Sequence, residues 1–125
     1  FIVAGAVIVT TPQAVALVDV VRGKTMFDQV KIPVLGIIEN MSGFVCDGCG
    51  TRTDIFAVGG GATLAKKTGL PLLGTIPLAT AVCTAGDAGK PIVLAAPESP
   101  AAKAFLQAAQ QLAEQVSKRS FETGA

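Results

Sequence analysis

The chain has 125 residues, 50% of them apolar and 15% charged, with a formal net charge of +1. That suffices for one globular domain with a core, and the absence of any basic run excludes an electrostatic footprint for nucleic acid or an anionic membrane. With no His, Trp or Tyr in the chain, imidazole chemistry, Ser-His-Asp and Cys-His arrangements and histidine metal ligands are excluded together.

The three cysteines are an odd number. No charged-then-apolar leader opens the chain, and no apolar run reaches the roughly 18 residues a membrane span needs. A reducing cytoplasm is the expected setting. The opening Phe-Ile-Val-Ala-Gly-Ala has no initiator Met and no polar lead-in. It reads as the back half of something longer.

Residues 6–9 form a β-branched apolar run bounded by Gly5 and Thr10-Thr11-Pro12, the pattern of a strand buried on both faces. Thr11 is then expected to cap a helix with Pro12 at its first position. Ala14, Leu17, Val18 and Val21 recur at helical spacing and carry that helix to about Phe27. Ile32-Pro33 breaks the pattern before a second buried-strand run over residues 34–38. Strand, crossover helix and strand predict a right-handed parallel unit. Ligands of open parallel sheets bind beyond the carboxyl ends of the strands, so Thr10, Thr11 and Asn40 are expected to share a ligand-binding edge.

Next comes Cys46-Asp47-Gly48-Cys49 on a glycine-rich turn. A thioredoxin-type pair would open a helix, whereas this turn reads as an exposed knuckle, which favours ligation of zinc or an iron-sulfur cluster. A redox pair and a pair without chemical role are the alternatives. Closed sites want four ligands, and no other Cys or His pair is present. A four-ligand site therefore needs a second chain, and the expectation is a symmetric dimer with the metal on its two-fold axis.

Gly59-Gly60-Gly61 precedes a helix over residues 62–68 that Gly69 stops. A phosphate loop would need Lys and Ser or Thr after its last Gly, and Ala62-Thr63-Leu64 follows instead. A flexible hinge is the better expectation. Residues 72–77 predict a third strand, residues 78–88 a short helix, and Gly89-Lys90-Pro91 a turn. Ser99 and Pro100 open a final helix with Ala102, Phe105, Ala109, Leu112 and Val116 on its apolar face. Residues 117–125 read as a frayed polar tail. Cys83 is expected to be a small buried apolar residue. Asp19 reads either as part of a solvated face or as turned toward a ligand or a lysine from elsewhere.

Several of these stretches occur together in one family. Val9-Thr10-Thr11-Pro12-Gln13 with Asp19, then Gly36-Ile37-Ile38-Glu39-Asn40-Met41-Ser42, then the two cysteines, resembles the Mrp/ApbC family. So do Gly74-Thr75-Ile76-Pro77-Leu78 and Gly86-Asp87-Ala88-Gly89-Lys90-Pro91. Members are cytosolic P-loop ATPases related to MinD that carry iron-sulfur clusters, and the likeness runs over residues 4–116.

The resemblance implies an α/β, three-layer, parallel-sheet P-loop NTPase fold, with residues 1–125 as the C-terminal portion of one ATPase domain. It implies a homodimer in which Cys46 and Cys49 of both subunits bridge one 4Fe-4S cluster for delivery to apo-proteins. It also implies that Asn40 and the backbone around Pro77 approach the adenine of ATP, and that Asp19 matches a helix aspartate facing the nucleotide site. The family's Walker motif and its Asp-Leu-Pro-Pro-Gly-Thr-Gly-Asp stretch do not occur in residues 1–125, so phosphate and magnesium handling would lie outside them and this chain alone should not hydrolyse ATP. Ala57 stands where the family commonly has Gly, and Ala79-Thr80 where it often has Asp-Pro. Two other readings use the same residues: a zinc-bridged structural dimer, and an inactive truncated paralogue that pairs with a complete copy.

Overall fold

The computed structural model describes residues 3–123. Its strands and helices run β1 Ala6–Thr10, α1 Ala14–Gln29, β2 Val34–Glu39, β3 Phe44–Val45, β4 Arg52–Thr53, α2 Gly60–Thr68, β5 Leu72–Thr75, α3 Thr80–Asp87, α4 Ile92–Ala95 and α5 Pro100–Thr123. β1, β2 and β5 form a parallel sheet with β2 in the middle. Thr10 pairs with Glu39 and Glu39 with Thr75, so three strand ends finish level.

The apolar runs explain the layering. Ile8 and Ile37 meet Val20 of α1 and Leu64 of α2 in one core cluster. On the other face Val9 and Ile38 look toward Ala108 and Leu112 of α5 across a cavity. A smaller cluster of Ala85, Ile92, Ala101 and Ala102 ties α3 and α4 to α5. The result is the expected three-layer α/β/α arrangement.

Several expectations change in detail. Thr11 does not cap α1: the cap position is Gln13, without a side-chain bond, and Thr11 Oγ1 donates to Gln13 Oε1 at 3.2 Å. Pro12 is buried against the start of α2, where a Cβ on Gly60 would stand 2.5 Å from the Pro12 carbonyl oxygen, so the helix begins after that contact. Gly60 and Gly61 are buried as well, which makes them close-approach glycines and not a hinge. Ser99 does cap α5, accepting from Ala102 N–H at 3.2 Å.

The buried stripe of α5 is Ala101, Ala102 and Ala108, while Phe105 and Ala109 are exposed. Ala108 takes the inward place because it packs on Gly74, whose own Cβ would come within 2.9 Å of it. The tail is also different. α5 stays helical through Thr123, with residues 117–122 exposed, because Lys118, Arg119 and Glu122 are good helix formers. Gly124 and Ala125 lie outside the described residues. Among the described residues no helix is long and apolar enough to cross a membrane.

Candidate functional site

Two features lie beyond the carboxyl ends of the strands. The first is a hairpin, antiparallel from β3 to β4, that carries residues 46–51 at its tip. Cys46 N–H donates to the Thr51 carbonyl at 3.0 Å, and Gly50 N–H returns to the Cys46 carbonyl at 2.8 Å. Gly50 makes that return at φ +72°, a conformation that suits glycine. Cys46 is half-buried, Cys49 is exposed, and neither is in a disulfide.

The local hydrogen bonds favour a thiolate. Thr51 Oγ1 lies 3.2 Å from Cys49 Sγ. This hydroxyl, then the Thr51 backbone N–H, then the Cys46 thiol pull the Cys49 thiol below its ordinary range, and desolvation opposes them least. Thiolate is the form that binds soft metal. Cys49 is therefore the thiol that this turn primes. Among the described residues no group of three Cys, Asp or Glu side chains is placed to hold a metal ion. The hairpin presents two free thiols on one turn.

Arg52 braces its base. The guanidinium reaches the Ser42 carbonyl at 3.5 Å and Asp54 at 3.2 Å, and it lies over Gly43, where a Cβ would stand 2.7 Å from Arg52 Nε. Gly43 at φ +81° thus serves two needs, the turn and the space.

The second feature is a groove of about 450 Å³ between β1 and α1. Its polar end is Thr10, Thr11, Asp19 and Asn40, so the structure brings these four sequence-predicted residues together. Asn40 N–H donates to the Thr10 carbonyl at 2.6 Å, and Asn40 Oδ1 accepts from Met41 N–H at 2.9 Å. The exposed Asp19 faces this groove from the third position of the second turn's span on α1. Pro77 does not line it. Pro77 is half-buried just past Ile76, which shares with Asn40 a second cavity of about 290 Å³ against α5.

The glycine run before α2 is not a free anion site. Gly61 N–H already donates to Glu39 Oε1 at 2.8 Å. Cys83 is exposed on α3, with its thiol 3.8 Å from Asp87 Oδ2, which corrects the expectation of burial. Ala85, two residues on, takes the inward-facing place on that helix. Thr51 and Arg52 carry no local sequence signal, and Glu39 stands in the sequence only as one letter of a motif, because only their fold neighbours give the three a role.

The family model of the NUBPL iron-transfer P-loop NTPases (ParA) matches residues 1–113. The chain belongs to this family. An iron-sulfur cluster carrier protein of Deinococcus radiodurans is 51% identical to this family member over 118 residues, covering 94% of this chain and 33% of the relative. The iron-sulfur cluster transfer protein NUBPL of Dictyostelium discoideum is 46% identical over 112 residues, covering 90% of this chain and 35% of the relative. The chain spans about a third of the length of these relatives.

Among solved structures, a nucleotide-binding protein of Archaeoglobus fulgidus in complex with ADP matches with a TM-score of 0.62 at 40% identity, over 70% of this chain and 36% of that one. MinD of Pyrococcus horikoshii, complexed with Mg-ADP, matches with a TM-score of 0.71 at 22% identity, over 93% of this chain and 44% of that one. The second likeness speaks for the fold alone. The family match and these relatives bear out the resemblance to iron-sulfur carriers of the P-loop NTPase family, and the solved structures bear out the α/β fold read from the sequence.

Proposed function

We propose that this chain is the cluster-holding portion of an iron-sulfur carrier, working in the cytoplasm and delivering a 4Fe-4S cluster to apo-proteins. The observation that carries the reading is the Cys46–Cys49 pair on a preformed hairpin, in a chain of the iron-transfer family. Two thiolates per chain and four per cluster make the carrier a homodimer, with one cluster held between two hairpins. Delivery is ligand exchange. Incoming thiolates of the apo-protein replace Cys46 and Cys49 on iron, and no electron need be gained or lost.

The groove supports nucleotide binding as the second half of the reading. Asn40 would donate its carboxamide N–H groups to adenine, the backbone at Pro77 would approach the ring from the neighbouring cavity that Asn40 and Ile76 share, and Asp19 would face the groups that hold the phosphates. Phosphate and magnesium chemistry belongs to residues outside 1–125, since these contain no GxxxxGK[ST]. ATP binding would then set how exposed the cluster is.

Anaerobic reconstitution with iron and sulfide tests the first half. The expected outcome is a brown dimer that loses its visible absorption, its iron and its dimeric mass in Cys46→Ala. A colourless dimer that holds zinc through the same thiols would replace the carrier with a structural staple.

A further inference from the structure

Glu39 ends β2 and is, among the described residues, the one charged side chain that is buried, with 3% of its surface exposed. A carboxylate is expensive to bury, so its partners must recover that cost. Each oxygen holds a different segment. Oε1 accepts from Gly61 N–H at 2.8 Å, in the first turn of α2, and Oε2 accepts from Ser42 O–H at 2.6 Å. The side chain therefore joins the segment that follows β2 to the first turn of α2.

Both pieces lead to the candidate sites. Ser42 N–H is held by the Ile76 carbonyl at 2.9 Å, Leu78 N–H by the Gly43 carbonyl at 2.8 Å, and β3 of the cysteine hairpin begins at Phe44. On the other side, Asn40 directly follows Glu39 and is fixed to Thr10 at the polar end of the groove. Gly60, next to Gly61, abuts Pro12 in the turn that follows Thr10 and Thr11. The carboxylate stands where the groove edge, the start of α2 and the root of the hairpin converge.

We propose that Glu39 is a positioning residue that couples the nucleotide groove to the cysteine hairpin, an inference that rests on the carrier reading above. A ligand that shifts Asn40 shifts the end of β2. Glu39 cannot release Ser42 or Gly61 without leaving a buried polar group unpaired, so the hairpin root and α2 move with it. Glu39 lies outside the lining of the groove and outside the cysteine turn. It acts through Ser42 and Gly61.

The test uses the full protein with Ser42→Ala, which removes one donor, and Ser42→Thr, which keeps the hydroxyl. Three quantities are read: ATP affinity, alkylation rates of Cys46 and Cys49 with and without ATP, and amide exchange at Gly61 and in residues 44–53. Exposed Cys83 serves as the internal control. In the wild type ATP should change hairpin alkylation by roughly fivefold or more, the lower end of ordinary coupling between sites. In Ser42→Ala that ratio should fall to near one with ATP affinity within about twofold of wild type, and exchange should rise at Gly61 and in the hairpin together. Ser42→Thr should restore both.

A Ser42→Ala protein with the wild-type ratio overturns this inference alone, even if it melts at a lower temperature. Wild-type hairpin cysteines indifferent to ATP overturn the nucleotide coupling of the carrier reading, and the inference with it.

Discussion

Cys46 and Cys49 share one turn but not one environment. Thr51 supplies both a hydroxyl and a backbone N–H to Cys49, and this lowers its thiol below the ordinary range. The sign of the pH effect follows directly. A lowered folded-state value means that the thiolate persists to lower pH than in the unfolded chain, and it is lost only as pH falls through the folded value. In the apo-protein the rate of Cys49 alkylation should therefore reach half its plateau at a lower pH than a free cysteine thiol. Thr51→Val should move that midpoint upward, though only part of the way, because the backbone N–H remains. An unchanged midpoint would remove the hydroxyl from the account. The CxxC spacing marks a candidate ligand pair in the sequence, but nothing in the spacing could announce Thr51, whose effect depends on the turn bringing residue 51 back onto residue 49. Cys83 shows the converse: its neighbours Val82 and Ala85 look apolar in sequence, yet helix phase turns the thiol outward.

Elements were legible where they were long and periodic. β1, α1, β2, β5 and α5 all stand where apolar runs or a 3.6-residue period placed them. The hairpin of β3 and β4 has two residues per strand and carries no period to read. On α5 the expected face holds at Ala102 and Leu112, but Ala108 takes the inward place expected of Ala109, because the two are equally apolar and only Gly74 decides between them. This makes Gly74 and Ala108 a matched pair. Gly74→Ala should cost about 1–3 kcal/mol in denaturant unfolding, as overpacking does. Adding Ala108→Gly should recover part of that loss, so the two changes should be non-additive in a double-mutant cycle. Simple additivity would show that α5 shifts freely over the sheet.

For the molecule as a whole, β1 is the consequential edge. Among the described residues it pairs with β2 on one side only, and Val9 in it is 59% exposed. An apolar edge strand with unpaired backbone groups recruits other strands. The isolated 125-residue chain should therefore associate as its concentration rises, seen by sedimentation. Val9→Lys should weaken that association while changing folding stability by no more than about 0.5 kcal/mol, since the site is exposed. Association untouched by the lysine would place the sticky surface elsewhere, for instance at Val15 and Val18 of α1, which are also exposed.

Taken alone, the sequence determined the α/β class, the parallel order of strand, helix and strand, the cysteine pair, and the family through motifs that lie within short stretches. Each of these depends on residues close together in the chain, where periodicity and spacing carry the information. The sequence also put Thr10, Thr11 and Asn40 at one edge; only the tertiary structure decided that Asp19 joins them in one groove, that Gly60 and Gly61 are packed against Pro12 and Glu39, and that Glu39 is buried. The Glu39 to Gly61 hydrogen bond spans 22 residues. A contact of that separation exists only after β2 and α2 have docked, so no local pattern records it.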